Sequence, residues 1–470
     1  MRAVEGEKPQ DQVIDDEGRD LSGLSGHRKS ETKASIRWAL FAGGEAIALG
    51  FLGVPDARAH LAAYLSLLLA GSVLAFVAAR SLSASRVSFV LFCAAVFRLT
   101  LLLRPPDLSE DVWRYLWDGR VAQAGISPWA YAPDDPAVAK IAPLVRGRVA
   151  HREIRTVYPP AAQAVFRIVA VGDSPLPLKA VFGAADLCVV GLLASAGLPG
   201  GLFAAALYAF HPLAITESAG QGHVDSLGAV LLVAAVLHAA RSRPVRAGAA
   251  LALSFLIKYV AGAAVLPLVR RHGLRTAGVA AAAAALIWIA TARGGVSPVG
   301  GLDQYATRWE FNSVLYPAMF AAVDGAGIPE RAKELFIRWK AAHGHPPWTA
   351  KVFPWFYSAF FSRVLLAVLL GATLLAIALR VKDPWTGVLF SVGALLVFSP
   401  TFYPWYALWV LPFAAARRNA AFLWLASAVP LSYLIHYPLP GLAIPRGAVL
   451  AFEYVPFGAL LAAPLLRRRT

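Results

Sequence analysis

The groups best able to move a proton lie in one stretch, Pro105–Pro133 (PPDLSEDVWRYLWDGRVAQAGISPWAYAP). Ser109 is placed to N-cap a helix, with Glu110 and Asp111 in its first turn, where the helix dipole favours carboxylates. Helical spacing then puts Asp111, Tyr115 and Asp118 on one face and Trp113, Leu116 and Trp117 on another. One reading is a helix lying on a membrane surface, apolar side down, with carboxylates turned toward a cavity where one can act as a base. The other is an interfacial helix whose acids are merely solvated.

Three further groups invite chemistry. Lys258 sits at the centre of the apolar run 247–269, where an ammonium needs a partner or a polar cavity. His223 and Asp225 close the stretch ESAGQGHVD, either as a metal or acid–base pair or in helix capping. A zinc site is disfavoured because no third ligand follows at a convincing spacing. The run SPTFYPWY (399–406) carries Tyr403, Trp405 and Tyr406, either as an aromatic belt at a membrane interface or as the wall of a groove.

Composition says what must position these groups. The 470 residues are 58% hydrophobic and 15% charged, against about 45–50% and 25% in a soluble chain. Enough apolar sequence is present for a dozen or more crossings of about 20 residues each. A soluble enzyme, a single-pass anchor and a disordered scaffold are excluded. The net charge of +16 gathers in short connections (Arg241, Arg243 and Arg246; Arg417 and Arg418; Arg467 to Arg469), as the positive-inside rule expects, so no nucleic-acid partner is implied. Cys93 and Cys188 lie in apolar segments, which argues against disulfides, a metal knuckle or a thiol nucleophile.

Residues 1–34 read as a disordered cytoplasmic tail with no cleavable signal peptide, and 35–470 as one membrane domain. Arg80 and Arg86 place the turn before the third apolar segment inside, so parity puts both long connections, 104–175 and 293–354, outside. Both termini are then cytoplasmic, and the protein is a multi-pass component of the cytoplasmic (inner) membrane. Basic clusters flank 247–269 on both sides, which favours two short helices meeting near Lys258 over one crossing. The expectation is an all-α polytopic bundle of 13–14 transmembrane helices, its two long outer loops carrying short interfacial helices.

Taken in order, these pieces resemble membrane glycosyltransferases of the GT-C superfamily, in particular the bacterial polyprenol-phosphate-mannose-dependent mannosyltransferase-like group. The resemblance is carried by Glu110–Asp111, Arg114–Tyr115, Asp118–Gly119–Arg120, Gly125, Pro128–Trp129 and Tyr131–Pro133. It continues through Thr156–Pro160 with Gln163 and Phe166, His211–Pro212, Glu217–Asp225, Lys258–Tyr259 before Pro267, and Ser399–Tyr406 ahead of Pro412. It covers roughly residues 87–416. Departures are Glu110 in place of a second Asp, Val224 in place of Asn after the His, and Trp129 in place of Tyr; the first bears on any metal dependence.

The resemblance implies an inverting hexosyltransferase that moves a sugar, mannose by preference, from a polyprenyl-phosphate donor to a lipid-linked glycan or glycolipid at the outer face. Asp111 is the implied base, Glu110 the second carboxylate, and Tyr115 and Asp118 hydrogen-bond the substrate. A leaving lipid phosphate needs cations, for which Arg152 and Arg155 before Tyr158, Lys258, His223 with Asp225, and Arg308 are candidates; the arginines equally suit headgroup contacts. Tyr403, Trp405 and Tyr406 would wall the groove for the prenyl chain or a sugar ring. No cofactor is required, and a divalent metal is allowed but not indicated. Besides the two substrates, membrane lipids are the expected partners. A lipid-linked-glycan flippase and a non-catalytic subunit of a glycan-assembly complex remain the alternatives.

Overall fold

A computed structural model of the chain describes residues 22–83, 85–292 and 296–466. Among them no strand forms, and helix accounts for nearly all regular structure. Six helices are long and apolar enough to cross a membrane: Glu31–Gly53, Leu61–Ser81, Leu176–Ser195, Leu274–Thr291, Ser358–Arg380 and Arg446–Pro464. Seven shorter apolar helices of 10–17 residues stand between them. The all-α polytopic expectation holds. The first helix, α1 (Ser22–Gly53), starts inside the segment expected to be a tail; residues 1–21 and the terminal arginines lie outside the described residues.

Proline opens many of these helices, where its missing N–H is no loss and its φ is already helical. Asp383 and Asn419 cap the helices Pro384–Phe398 and Ala420–Ala428 by accepting from the backbone N–H of Thr386 (2.7 Å) and Phe422 (3.1 Å). The main core joins α1, α2 (Leu61–Ser81), α3 (Val87–Leu102) and the later apolar helices. One buried ion pair stands inside it, with the partners that burial demands. Arg98 meets Asp186 at 2.5 Å, and Asp186 also accepts from the Tyr208 hydroxyl. Glu45 accepts from Thr100 at 2.6 Å.

A second, smaller core holds α4 (Asp111–Gln123) against α5 (Pro160–Val169). Here the surface-helix expectation is corrected. Trp113, Leu116 and Trp117 are buried in protein, as are Tyr115 and Asp118, so α4 is enclosed around most of its circumference.

The chain breaks at Lys258, as the flanking basic clusters predict. The helix Pro244–Ile257 ends there, Lys258 is extended, and a 3-10 turn leads into Val265–His272. Gly248, near the start of the first of these, packs on Thr276 and Val279, near the start of Leu274–Thr291. Two helices that begin side by side require the chain between them to double back.

The second long connection is more helical than a loop, with helices at Leu302–Arg308, Leu315–Gly325 and Ile328–Ala342. It is pinned to its neighbours by backbone. Gly301 N–H donates to the Thr156 carbonyl (3.0 Å), Phe311 N–H to the Pro400 carbonyl (3.0 Å), and Phe402 N–H to the Phe311 carbonyl (2.8 Å). Gly300 has φ +56°, and a Cβ there would strike that same Thr156 carbonyl, so only glycine fits.

Candidate active site

One cavity of ≈ 570 Å³ gathers residues from distant parts of the chain: 108–114, 150–159, 258–260, 302–309, 395–406 and 433–437. It falls within the roughly 300–1,000 Å³ of small-molecule sites. Asp111, at the first turn of α4, is half-buried on its wall. Ser109 acts one residue earlier than a standard cap, its Oγ accepting from Asp111 N–H at 3.2 Å.

The stretch ESAGQGHVD holds that loop from behind. A π-helical turn at Thr216–Gly220 and Gly222 at φ +77° let Gln221 reach across, accepting from Leu108 N–H and donating to Asp107, both at 3.0 Å. A Cβ at Gly222 would collide with Val112 and Lys179.

Asp111 keeps one carboxylate oxygen engaged. Its Oδ2 accepts from the hydroxyls of Tyr115 (3.4 Å) and Tyr158 (3.3 Å), both long contacts. Burial first, and the nearby Asp111 charge second, push both phenols well above their usual range, so they stay protonated and donate. Oδ1 has no partner among the described residues and is left for a ligand.

Cations line the same cavity. Lys258 Nζ lies 2.8 Å from Asp225 Oδ1 and 3.9 Å from the Tyr406 ring centroid. Asp225 also accepts from the Trp409 indole at 2.7 Å. Arg155 reaches the cavity with no ion pair among the described residues, and Arg114 does so while bonded to Asp118 (2.9 Å) and the Ile154 carbonyl (2.9 Å). Glu110 is on the wall too, tied to Arg58 by an ion pair.

Not every expected residue arrives. Asp118 is fully buried, and its oxygens serve Arg114, Thr156 (2.5 Å) and Gln163 (2.8 Å), so it cannot hydrogen-bond a sugar. Arg152 turns away to Asp134 (3.5 Å), and Arg308 is exposed outside the lining. His223 and Asp225 do not form a pair. His223 meets Glu217 at 3.0 Å and stacks on Trp405, beneath the wall. Among the described residues no group of three or more His, Cys, Asp or Glu gathers in metal-ligand array.

Tyr403 and Trp405 are on the wall, though their faces are taken. His223, Trp405, Tyr403, Phe311 and His436 form one column of parallel rings, with successive centroids 4.0, 4.6, 4.5 and 4.5 Å apart. The inner rings are sandwiched, so Trp405 and Tyr403 offer the cavity edges and a hydroxyl instead of a stacking surface. Tyr305 and Trp309, absent from the expected set, complete the wall, with the Tyr305 and Tyr406 hydroxyls 2.5 Å apart.

The Asp118 hub should be structural. Thr156→Val removes a donor to Asp118 and the acceptor that serves Gln163 and the buried Tyr158 N–H; the expected cost is about 1–3 kcal/mol of stability, read as a lower thermal midpoint in detergent.

Residues 45–272, just under half of the chain, match the MptA_B family, described as alpha-(1->6)-mannopyranosyltransferase, N-terminal domain. The matched stretch holds Glu110, Asp111, Tyr158, His223, Asp225 and Lys258. It supports the likeness to GT-C mannosyltransferases and a glycosyltransferase activity in a membrane protein that uses a sugar donor and a glycan acceptor. No curated protein matches the chain.

Proposed function

We propose that the protein is an inverting mannosyltransferase that takes its sugar from a polyprenyl-phosphate donor at the outer face of the cytoplasmic membrane and passes it to a lipid-linked glycan or glycolipid. The observation that carries this reading is the meeting of Asp111, with one oxygen free, and three cationic side chains on one cavity wall. The acceptor hydroxyl gives its proton to Asp111 as its oxygen bonds to the anomeric carbon. The bond from that carbon to the phosphate oxygen breaks, and the lipid phosphate leaves toward Arg155, Arg114 and Lys258. One displacement on a β-linked donor gives an α-glycoside.

Tyr115 and Tyr158 orient the base by donating to its other oxygen. Their long contacts suit a site that tightens when substrate arrives. Apolar lining from Leu395, Leu396 and Val260 supports a prenyl chain close to the charged centre. A flippase would need no base at the cavity wall.

The test is transfer in proteoliposomes of the full chain, with radiolabelled polyprenyl-phosphate-mannose or a nucleotide-mannose as donor and native glycolipid extract as acceptor. Labelled glycolipid is expected from the lipid donor alone. Transfer from the nucleotide sugar, or donor movement across the bilayer without a new glycosidic bond, would overturn the proposal.

A further inference from the structure

A second, more open cavity of ≈ 630 Å³ adjoins the first, and its side-chain lining includes Asp56, Arg58, Asp107, Glu110, Trp113 and Arg148. The two share Glu110 and Ala150, so a molecule spanning both passes the residue next to Asp111. Their linings differ in kind. The first combines aromatic and aliphatic surface with net positive charge. The second sets three carboxylates and two guanidiniums around one indole, with the Arg148 guanidinium 4.4 Å above the Trp113 ring.

That mixture fits a polyhydroxylated ligand. Asp56 and Glu110 can accept from neighbouring hydroxyls, Asp107 being held already by Arg104, Gln221 and the Ala57 N–H, and each guanidinium presents a fork of donors to ring and hydroxyl oxygens. Five charged groups are a poor bed for a prenyl chain. The Arg58–Glu110 pair at the boundary has side chains 37% and 40% exposed. A pair so solvated holds by at most about 1 kcal/mol, so sugar hydroxyls can replace it at little cost.

Resting on the glycosyl-transfer reading, we infer that this second cavity binds the acceptor glycan, holding the sugar units behind the one whose hydroxyl meets Asp111. The first cavity is left to the donor. Glu110 is then a positioning residue at the junction of the two, guiding the acceptor's terminal sugar toward the base. The ligand class is an oligosaccharide of two or more units, recognised through its hydroxyls and not through a lipid.

Titration calorimetry on the full chain in nanodiscs tests this, with methyl α-mannoside and methyl α-1,6-mannotrioside as probes. The trisaccharide should bind at least about tenfold more tightly than the monosaccharide, equal to about 1.4 kcal/mol. Arg148→Gln should abolish that gain and leave monosaccharide affinity within about twofold; Asp56→Asn, also at an exposed position, should reduce it. No gain in the unaltered protein, or a gain that survives both substitutions, overturns the assignment. A gain that is lost on substitution, in a protein that transfers nothing from polyprenyl-phosphate-mannose, would sink the proposed reaction and leave this cavity standing as a glycan site.

Discussion

Asp111→Asn should lower turnover by at least about 100-fold, the low end of what a positioned general base supplies, with folding and expression unchanged. The amide is isosteric and its oxygen can still accept from Tyr115 and Tyr158, so the second core around α4 has no reason to rearrange. What is lost is the free carboxylate oxygen able to take the acceptor's proton. Glu110→Gln is the matched control. Its carboxylate is engaged by Arg58, so its loss should raise acceptor KM more than it lowers kcat. Single-turnover transfer from polyprenyl-phosphate-mannose separates the two. Near-normal turnover in Asp111→Asn removes that residue from the chemistry, and a collapse of kcat in Glu110→Gln alone would move the base one position back.

The sequence makes the broken segment at Lys258 legible because charge has to be accounted for twice. An ammonium at that depth needs company, and two basic clusters cannot both lie inside across a single crossing. The partner itself is hidden, since Asp225 is 33 residues away and meets Lys258 only through packing. Asp118 shows the opposite limit. Its i+7 spacing from Asp111 correctly gives the shared helix face, but periodicity does not reveal that Thr156 and Gln163 close over the far end of that face.

The second long connection was least readable. Tyr305 and Trp309 reach the cavity because glycines at 300 and 301 let their segment press against the Thr156 and Arg155 carbonyls. No periodicity in that stretch announces it. Arg308, the cation expected from the second outer connection, lies outside the lining, whereas Arg114, inside α4, is on the wall. A signal for Arg114 was present: it lies three residues after Asp111, a helical spacing that places it beside that carboxylate.

Lys258→Met should have the other large effect, and it needs a partner substitution to be interpreted. Asp225 is fully buried and Lys258 is its ionic partner, at 2.8 Å with the lysine side chain 15% exposed. Removing the ammonium strands a carboxylate, an expected loss of about 3–5 kcal/mol in stability. A fall in activity from that variant alone would therefore report folding as much as chemistry. The double variant Lys258→Met/Asp225→Asn removes the stranded charge while leaving an acceptor for the Trp409 indole. It should recover most of the lost thermal midpoint in detergent. If the ammonium also receives the departing phosphate, the recovered protein will still require at least about tenfold more polyprenyl-phosphate-mannose for half-maximal rate, with acceptor KM unchanged. Equal shifts in both constants, or none in either, would reduce Lys258 to a counter-ion for Asp225 and leave the phosphate to Arg155 and Arg114.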